Sequence, residues 1–341
     1  MNVIKYLFRK KTLHQLPISE FRQRFFLGHG RLLMATRKKR TQKPEVKQEF
    51  NLVELIERFG NDEKCREFLE QLRWPNGVVC PRCASKSVST IEDRPQYDCN
   101  ACRYQFSVTA GTMMHDSHLP LWKWFLTAYM MIESKKGVSA NQIKRTIAVS
   151  YKTAWYLCHR IRAAMTDVNP EPLTGVLEAD ETLVGGKKRG MGRGYTGNKV
   201  TVAGVVSRGG EIRLKVISDR TRETLHKFLK DNTADDATAI YTDDWEAYKG
   251  IADHNTIHET VNHSIEEWVR GDVHTNSVEG VWSLLKRAII GSYHQVSHKH
   301  LDAYLDELEF RFGNRNNPYL FREVATRLLS SDTLTYQSLT A

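Results

Sequence analysis

HTNSVEGVWSLLKRAI, residues 274–289, is the stretch that decides how the chain folds. Apolar residues recur there every three or four positions, which predicts a helix with one face packed inward: Val278, Val281, Trp282, Leu285 and Ile289. Glu279 and Lys286 stand seven residues apart and therefore lie on one side of that helix. Asn276 followed by Glu279 also has the form of a capping box, which would give both side chains a structural role instead.

Two aspartates upstream each follow an apolar, β-leaning run, Asp180 in LEADET and Asp243 in AIYTDD. Between Asp243 and Glu279 lie 35 residues, the spacing typical of a DDE recombinase. Three carboxylates brought together repel one another unless cations neutralise them, and Mg²⁺ is a hard cation that prefers oxygen ligands. We therefore expect Asp180, Asp243 and Glu279 to hold two Mg²⁺ (or Mn²⁺) ions for an in-line phosphoryl displacement, with Lys286 near the phosphate.

The charge is unevenly distributed along the 341 residues, whose net charge is +10. Residues 1–167 hold 29 Lys and Arg against 15 Asp and Glu, whereas residues 168–341 hold 21 against 25. A basic first half suits a polyanion such as double-stranded DNA, and an acidic second half suits bound cations. No apolar run approaches the roughly 20 residues needed to span a bilayer, so no membrane partner is expected.

Four of the six cysteines form two CxxC pairs: Cys80, Cys83, Cys99 and Cys102. The 15 residues between the pairs fit a Cys₄ zinc site, closed and structural, in a small ribbon over residues 74–115. With few apolar residues, this ribbon should need its Zn²⁺ to fold. Thiolate ligands indicate a reducing compartment such as a cytoplasm, where a DNA-bound protein would associate with the chromosome.

Residues 49–73 predict two short helices, and residues 116–168 predict a helix-turn-helix. Ser139 caps a helix over residues 141–147, and a second helix begins at Tyr151 after a short turn. The second helix places three basic residues on its solvent side, where they would contact DNA: Lys152, Arg160 and Arg162. A helical hairpin without a role in DNA binding is the alternative.

Residues 169–330 change to a strand pattern, with a hairpin turning at Gly209-Gly210, and the order of strands and helices matches a ribonuclease-H-like α/β catalytic domain. A glycine-rich loop carries Lys187, Lys188, Arg189 and Arg193, which contact the phosphate backbone or are merely solvated. Its G-x-G-x-x-G is followed by a strand rather than a helix, which excludes a dinucleotide site.

The remaining segments complete a multidomain α+β chain: residues 1–48 are a basic extension or arm and residues 331–341 a tail. Met34 is expected to be the natural start. The RKKR run at residues 37–40 is read equally as a solvated tail or as a DNA-contacting arm, because blocks of like charge are commonly solvated.

Several longer motifs resemble those of ISXO-like bacterial insertion-sequence transposases: EADETLVGG, YTDDWEAY, HTNSVEGVWSLLKRAIIGSYH and SHKHLDAYLDELEFRF, with CPRC…CNAC similar to their zinc ribbon. The resemblance covers about residues 50–312. It implies a DDE transposase that uses two divalent metal ions, binds terminal inverted repeats and target DNA, and acts as a homo-oligomer on DNA. Some relatives have Asn at the HTN position, so Asn276 competes with Glu279 as third ligand; Glu279 is preferred because a carboxylate binds Mg²⁺ better than a neutral amide.

Two other functions fit the same residues. One is a DNA-binding regulator of transposase descent whose catalytic core is inert, which the presence of all three acids disfavours. The other is a metal-dependent DNA nuclease without strand transfer, which would use the same carboxylates.

Overall fold

The computed structural model describes residues 49–186, 199–251, 256–262, 267 and 269–341. The predicted basic arm lies outside the described residues. So do the four basic residues of the glycine-rich loop: Lys187, Lys188, Arg189 and Arg193.

The N-terminal part consists of helices around a small three-stranded sheet, as the sequence predicted. Asn51 caps the first helix in a capping box with Glu54, and Asn61 caps the second, so the two short helices predicted over residues 49–73 are confirmed. Ser139 and Ser150 cap the two helices of the predicted helix-turn-helix. The elements are α1 (Leu52–Phe59), α2 (Asp62–Arg73), β1 (Val88–Thr90), β2 (Tyr97–Cys99), β3 (Gln105–Phe106), α3 (Leu121–Glu133), α4 (Ala140–Thr146) and α5 (Tyr151–Met165).

The C-terminal part alternates strands and helices in the predicted order. A π-helical turn, Ile289–Tyr293, directly follows the helix Asn276–Ala288. The elements are β4 (Val176–Val184), β5 (Val200–Ser207), β6 (Ile212–Ile217), α6 (Arg222–Asn232), β7 (Ala239–Asp243), β8 (Ile257–Val261), α7 (Asn276–Ala288), α8 (Leu301–Gly313), α9 (Leu320–Ser330) and α10 (Tyr336–Thr340).

Strand β4 lies at the centre of a sheet whose order, among the described strands, is β6-β5-β4-β7-β8. It is antiparallel to β5 and parallel to β7, and β7 is parallel to β8. The β5–β6 hairpin turns at Gly209, whose φ of 78° favours glycine. The two strands that carry the predicted acids are therefore neighbours in the sheet. Asp243 ends β7 as predicted, but the prediction that Asp180 ends its strand is wrong, because β4 stays paired with β5 as far as Val184.

Helices cover both faces of this sheet. Val278, Val281 and Leu285 of α7 pack with α8 on one face. Leu225 and Phe228 of α6 pack on the other. Burial on both faces explains the long apolar runs of β4 and β5.

The last helices return to the N-terminal core. Phe321 of α9 lies 5.3 Å from the ring of Phe125 and 5.8 Å from that of Phe59, measured between centroids. Val324 and Leu328 are buried in the same cluster as α1 to α5. Residues at the end of the predicted catalytic segment thus contribute to the core that holds the helix-turn-helix.

Candidate active site and zinc site

Strand register brings Asp180 and Asp243 together. The parallel ladder pairs Leu177 with Ile240 and Glu178 with Tyr241. Two residues further along each strand come Asp180 and Asp243, at the same level of the sheet. Each aspartate also raises the electrostatic cost of ionising the other, since repulsion from Asp243 contributes to the raised pKa of Asp180.

Asp180 is held in a partly desolvated position. Burial raises the pKa of its carboxyl to about 7, with the neighbouring charges of Glu181 and Asp243 adding to the effect. Trp282 acts in the opposite direction, because its Nε1 donates a hydrogen bond of 2.8 Å to Oδ2. Near neutral pH the carboxyl is therefore balanced between its protonated form and an anion that a cation would stabilise.

The cleft beside Asp180 contains the acidic and basic residues that the sequence placed on one helix face. Its volume is about 530 Å³, and its lining includes Asp180, Glu181, Glu279 and Lys286. Glu279 and Lys286 are two turns apart on α7, as predicted. Asn276 is the exposed first residue of α7 and does not line this cleft.

The alternative that Asn276 and Glu279 form a capping box does not hold in the structure. The N-cap of α7 is Thr275, which makes no side-chain cap hydrogen bond. Instead Glu178 of β4, fully buried, accepts from the backbone N–H groups of Ser277 at 2.6 Å and Val278 at 3.2 Å. A carboxylate from another element thus satisfies the free donors and the positive end of the helix dipole.

Further groups hold Glu178 in this position. Arg208 Nε donates to Oε1 at 2.7 Å, the Ser277 hydroxyl donates to the same oxygen at 2.9 Å, and His274 Nδ1 lies 3.2 Å from it. Glu178 shares the strand face of Asp180 but is committed to structural contacts, which makes it a support for α7 rather than a metal ligand.

Glu181 points to the opposite face of the sheet from Glu178. The Tyr248 hydroxyl donates to its Oε2 at 2.7 Å, and Arg220 Nη1 lies 3.8 Å from Oε1. Burial raises the pKa of Glu181, with repulsion from Asp243 adding to the effect. Glu181 therefore contributes negative charge to the acidic site while its own oxygens are engaged by neighbours.

Trp282 and Gly204 are positioning residues that the sequence reasoning missed. Gly204 of β5 pairs with Asp180 across the ladder. A Cβ at Gly204 would lie 2.5 Å from Cη2 of Trp282, so glycine leaves the space that the indole needs to reach Asp180. The apolar spacing of Trp282 predicted its burial but gave no sign of this hydrogen bond.

The four cysteines of the predicted ribbon converge on one point. Cys80 Sγ lies 3.7 Å from Cys102 Sγ, Cys83 Sγ lies 3.5 Å from Cys99 Sγ, and all four sulfurs fall within 4.8 Å of one another. In a tetrahedral site with Zn–S bonds of about 2.3 Å, neighbouring sulfurs lie roughly 3.8 Å apart. The four sulfurs of the ribbon therefore fit one closed zinc site.

The two CxxC turns of the ribbon repeat the same backbone conformation. Ala84 and Arg103, each directly after a second cysteine, have φ values of 58° and 56°. Their N–H groups donate to the carbonyls of Cys80 and Cys99 at 2.9 and 2.8 Å. The two equivalent turns direct their four sulfurs to one point, which is the geometry that the CxxC spacing predicted for a zinc site.

The prediction that Arg160 and Arg162 lie on the solvent side of α5 is wrong. Arg162 is 1% exposed, and its Nε forms a 2.6 Å ion pair with the fully buried Glu307 of α8. Arg160 is 4% exposed and donates to the carbonyl of His115 at 2.7 Å. Helices packed on several sides of α5 leave no solvent face over these turns, so both guanidinium groups are internal supports.

Exposed basic residues of the helix pair lie closer to its turn. Lys152 is exposed, with its Nζ 4.3 Å from the ring centroid of Tyr336. Lys144 and Arg145 at the end of α4 are exposed as well. Of the three residues predicted on α5, Lys152 alone has a solvent-exposed side chain.

The chain combines a zinc ribbon, a pair of helices joined by a short turn and a cleft lined by acidic residues. This combination indicates a DNA-processing enzyme. The chain matches the ISXO2-like transposase domain over residues 172–313 and the transposase zinc-ribbon domain over residues 60–105. It is 30% identical over 275 residues to an uncharacterized protein in the transposable element ISH50 of Halobacterium salinarum, covering 75% of this chain and 92% of that protein.

Among solved structures, a pre-cleavage Mos1 transpososome overlaps 60% of this chain and 78% of the compared chain, at 10% identity. Its TM-score of 0.24 is too low to establish a common fold.

The chain belongs to the ISXO2-like transposase family and is a DDE-type transposase with a structural zinc site. The predicted family and enzyme class are confirmed. DNA is the partner that this family implies. Across the described residues, every helix is too short or too polar to cross a bilayer.

Proposed function

We propose that this transposase binds the terminal inverted repeats of its element and catalyses DNA strand cleavage and strand transfer by in-line phosphoryl displacement with two divalent ions. One observation carries the proposal. The parallel register of β4 and β7 sets Asp180 level with Asp243, while Glu279 and Lys286 share a cleft with Asp180. Clustered carboxylates beside a lysine suit cations and a phosphate.

The proposed metal ligands are Asp180, Asp243 and Glu279. Burial raises the pKa of Asp180, repulsion from Glu181 and Asp243 adds to the effect, and this donor set fits a hard divalent ion such as Mg²⁺ or Mn²⁺. Two such ions, when bound, would activate the attacking oxygen and stabilise the leaving oxygen. Glu279 is preferred to Asn276 because it lines the cleft with Asp180 and its oxygens carry charge.

The protein's own groups orient the reaction. Trp282 fixes one oxygen of Asp180 by its hydrogen bond, so the other oxygen keeps a defined direction. Glu178 holds the first turn of α7, which includes Glu279, and thereby the position of that side chain. Lys286, on the same side of α7, would bind a non-bridging phosphate oxygen as a point charge.

The order of the sheet supports a ribonuclease-H-like catalytic domain. Three antiparallel strands followed by two parallel ones, β6-β5-β4-β7-β8, put the first and fourth strands of the unit side by side. The acids of such a unit would lie on these adjoining parallel strands, Asp180 within β4 and Asp243 at the end of β7, and the third would lie on α7, which packs on one face of the sheet.

DNA contacts are proposed for exposed basic residues of the helix pair: Lys144, Arg145 and Lys152. The loop residues Lys187, Lys188, Arg189 and Arg193 keep their proposed role as phosphate contacts. Joining two transposon ends in one event needs two active sites, so we also propose a homo-oligomer on DNA. Work on chromosomal DNA would place the protein at the nucleoid in the cytoplasm.

The test is a joining assay on duplexes that carry the ends of the element, with and without Mg²⁺. Asp180→Asn and Asp243→Asn should abolish cleavage and joining and leave end binding unchanged, because neither carboxamide replaces a charged ligand. Asp244→Asn is the matched control: Asp244 is exposed and accepts from Asn262 at 3.0 Å. If Asp244→Asn lost activity and Asp243→Asn kept it, Asp244 rather than Asp243 would be the second catalytic acid.

The same assay separates the remaining alternatives. Loss of joining with Asn276→Ala but not with Glu279→Gln would make the amide the third ligand. Cleavage without joining would indicate a nuclease. Specific end binding with neither reaction at any Mg²⁺ or Mn²⁺ concentration would indicate a regulator.

A further inference from the structure

A second cavity, rich in aromatic side chains, lies between the helix pair and the segment that follows α7. Its volume is about 570 Å³, and its lining includes Tyr151, Trp155, Tyr293, His300 and Tyr304. Tyr151 is 49% exposed, so the rings border open space rather than forming a closed core. This size lies within the range of small-ligand sites.

Buried charges hold the wall of this aromatic pocket in place. The guanidinium of Arg162 lies 3.9 Å from the ring centroid of Tyr304. Glu307, paired with Arg162, accepts from the Tyr293 hydroxyl at 2.9 Å. Because these contacts fix the rings against the protein's own groups, the rings are preorganised and binding would cost little side-chain entropy.

Imidazole and indole rings pack together behind the lining of the pocket. His159 is 1% exposed and packs against Trp155 at 4.4 Å and His300 at 5.0 Å between ring centroids. Burial, with the charge of Arg162 nearby, lowers the pKa of His159 to about 3. The inner wall thus offers neutral ring faces and edges, which favours a planar ligand over an anion.

The rim is polar. Asn141 and Gln295 supply amides that can donate and accept hydrogen bonds, and Arg145 supplies a guanidinium. A ligand suited to this pocket has a flat aromatic part for the interior, hydrogen-bonding edges and a negative charge at the mouth. A nucleotide has all three.

The pocket is connected to the acidic cleft. A groove of about 820 Å³ shares His294, Gln295 and Val296 with the pocket, and it shares Lys286 and Ile290 with the cleft. Among the described residues, shared lining residues therefore link the space beside Asp180, through the groove, to the space beside Trp155. A DNA strand whose phosphate sits at Lys286 could reach the pocket along this groove.

We propose that the aromatic pocket binds an unpaired nucleotide of the DNA strand that enters the acidic cleft, with its base against Trp155 and Tyr151. The proposal rests on the transposase function proposed above. A paired base inside a duplex presents no free face, whereas an unpaired base stacks on aromatic rings whatever its sequence. The site would therefore favour ends with frayed or single-stranded flanks.

The test measures binding of a short single-stranded oligothymidylate to the full-length protein by fluorescence anisotropy, without Mg²⁺. Trp155→Ala and Tyr151→Ala should each weaken binding by roughly tenfold, the scale of one lost base–aromatic stack. Trp155→Phe should largely restore it. The slope of log affinity against log salt should not change, because stacking releases no counterions.

Tyr319→Ala is the matched control, since Tyr319 is 59% exposed and contributes nothing to this pocket. The thermal unfolding midpoint of each variant shows whether the fold is kept, and the half-exposed Tyr151 serves if Trp155→Ala unfolds. Affinities of both pocket variants equal to that of Tyr319→Ala would overturn the proposal. An equal loss on blunt duplex would overturn it too, because unpaired bases would not be what the pocket recognises.

The joining assay distinguishes this failure from failure of the proposed function. If the wild type joins ends and the pocket variants bind single strands normally, the pocket proposal fails and strand transfer stands. If the wild type never joins ends but Trp155→Ala loses single-strand binding, the pocket stands and strand transfer fails.

Discussion

Two acidic residues on one face of β4 should respond in opposite ways to loss of their charge. Glu178 and Asp180 are two positions apart and both contact α7. Glu178→Gln should destabilise the protein, whereas Asp180→Asn should stabilise it, although both should lose strand joining. The sign of the stability change, rather than the loss of activity, distinguishes the supporting acid from the catalytic one.

The cost of Glu178→Gln follows from its partners. Both oxygens of Glu178 only accept, and the donors are the backbone of Ser277 and Val278, the Ser277 hydroxyl and Arg208. A glutamine turns one acceptor into a donor that faces donors and leaves Arg208 without its anion. Removing one member of a buried, charge-assisted set typically costs about 3–5 kcal/mol.

The gain from Asp180→Asn comes from the pKa of about 7, raised from 3.8. Because the folded state binds this proton more tightly, ionising Asp180 costs stability as pH rises through that range. Above about pH 7 the substitution should add about 1–3 kcal/mol, and Asn can still accept from Trp282. Below about pH 4 the carboxyl is protonated in both states, and this gain should disappear.

The assay is urea unfolding at pH 8 and pH 5, in buffer free of Mg²⁺ and of chelators so that zinc is retained. Glu211→Gln is the control, because Glu211 pairs with Arg213 at 2.8 Å but is 58% exposed. It should change stability by less than about 1 kcal/mol. A Glu178→Gln protein as stable as this control, or an Asp180→Asn protein less stable than the wild type at pH 8, would refute the reasoning.

Two further perturbations test the zinc site and the indole of Trp282. Cys80→Ser should leave the purified protein without zinc and should weaken its binding to the transposon ends. Cys65→Ala, which replaces a cysteine that is not among the four zinc ligands, should keep the metal. Elemental analysis measures the zinc content of both variants, and titrations with end DNA measure their binding. Gly204→Ala should displace Trp282, destabilise by about 1–3 kcal/mol through overpacking and slow joining. Gly280→Ala, with open space around its Cβ, should be stable and active, and a similar loss in both variants would contradict the steric argument.

The sheet and the positions of its acids could be predicted because they depend on local patterns. Strand and helix periods showed the order from β4 to α7. An aspartate at the end of an apolar run marked the strand end correctly for Asp243 but not for Asp180, since β4 continues to Val184. The two parallel strands then set Asp180 beside Asp243 by register alone. Zinc ligation was equally local, since each CxxC forms its own turn.

Charged residues that lie in the interior could not be predicted in this way. Arg162 was assigned to the solvent because an arginine on a helix usually faces water, and its partner Glu307 is 145 residues away. The interpretation of Asn276 as the cap of α7 failed for the same reason, because the group that caps the helix, Glu178, comes from a strand 99 residues before Ser277. A local motif competes with every distant group of matching chemistry, and the sequence does not show which one folds into contact.

The same distant contacts connect the helix pair, proposed to bind DNA, with the elements that line the acidic cleft. Arg162 belongs to the helix pair, Glu307 to α8, and Tyr293 to the turn that continues α7 from Glu279. Because the ion pair is fully buried, moving the helix pair away from α7 would leave charges unpaired in the interior, at a cost of several kcal/mol. The helix pair and the acidic cleft should therefore move as one body, so that DNA held at Lys152 is presented to Asp180 at a fixed distance.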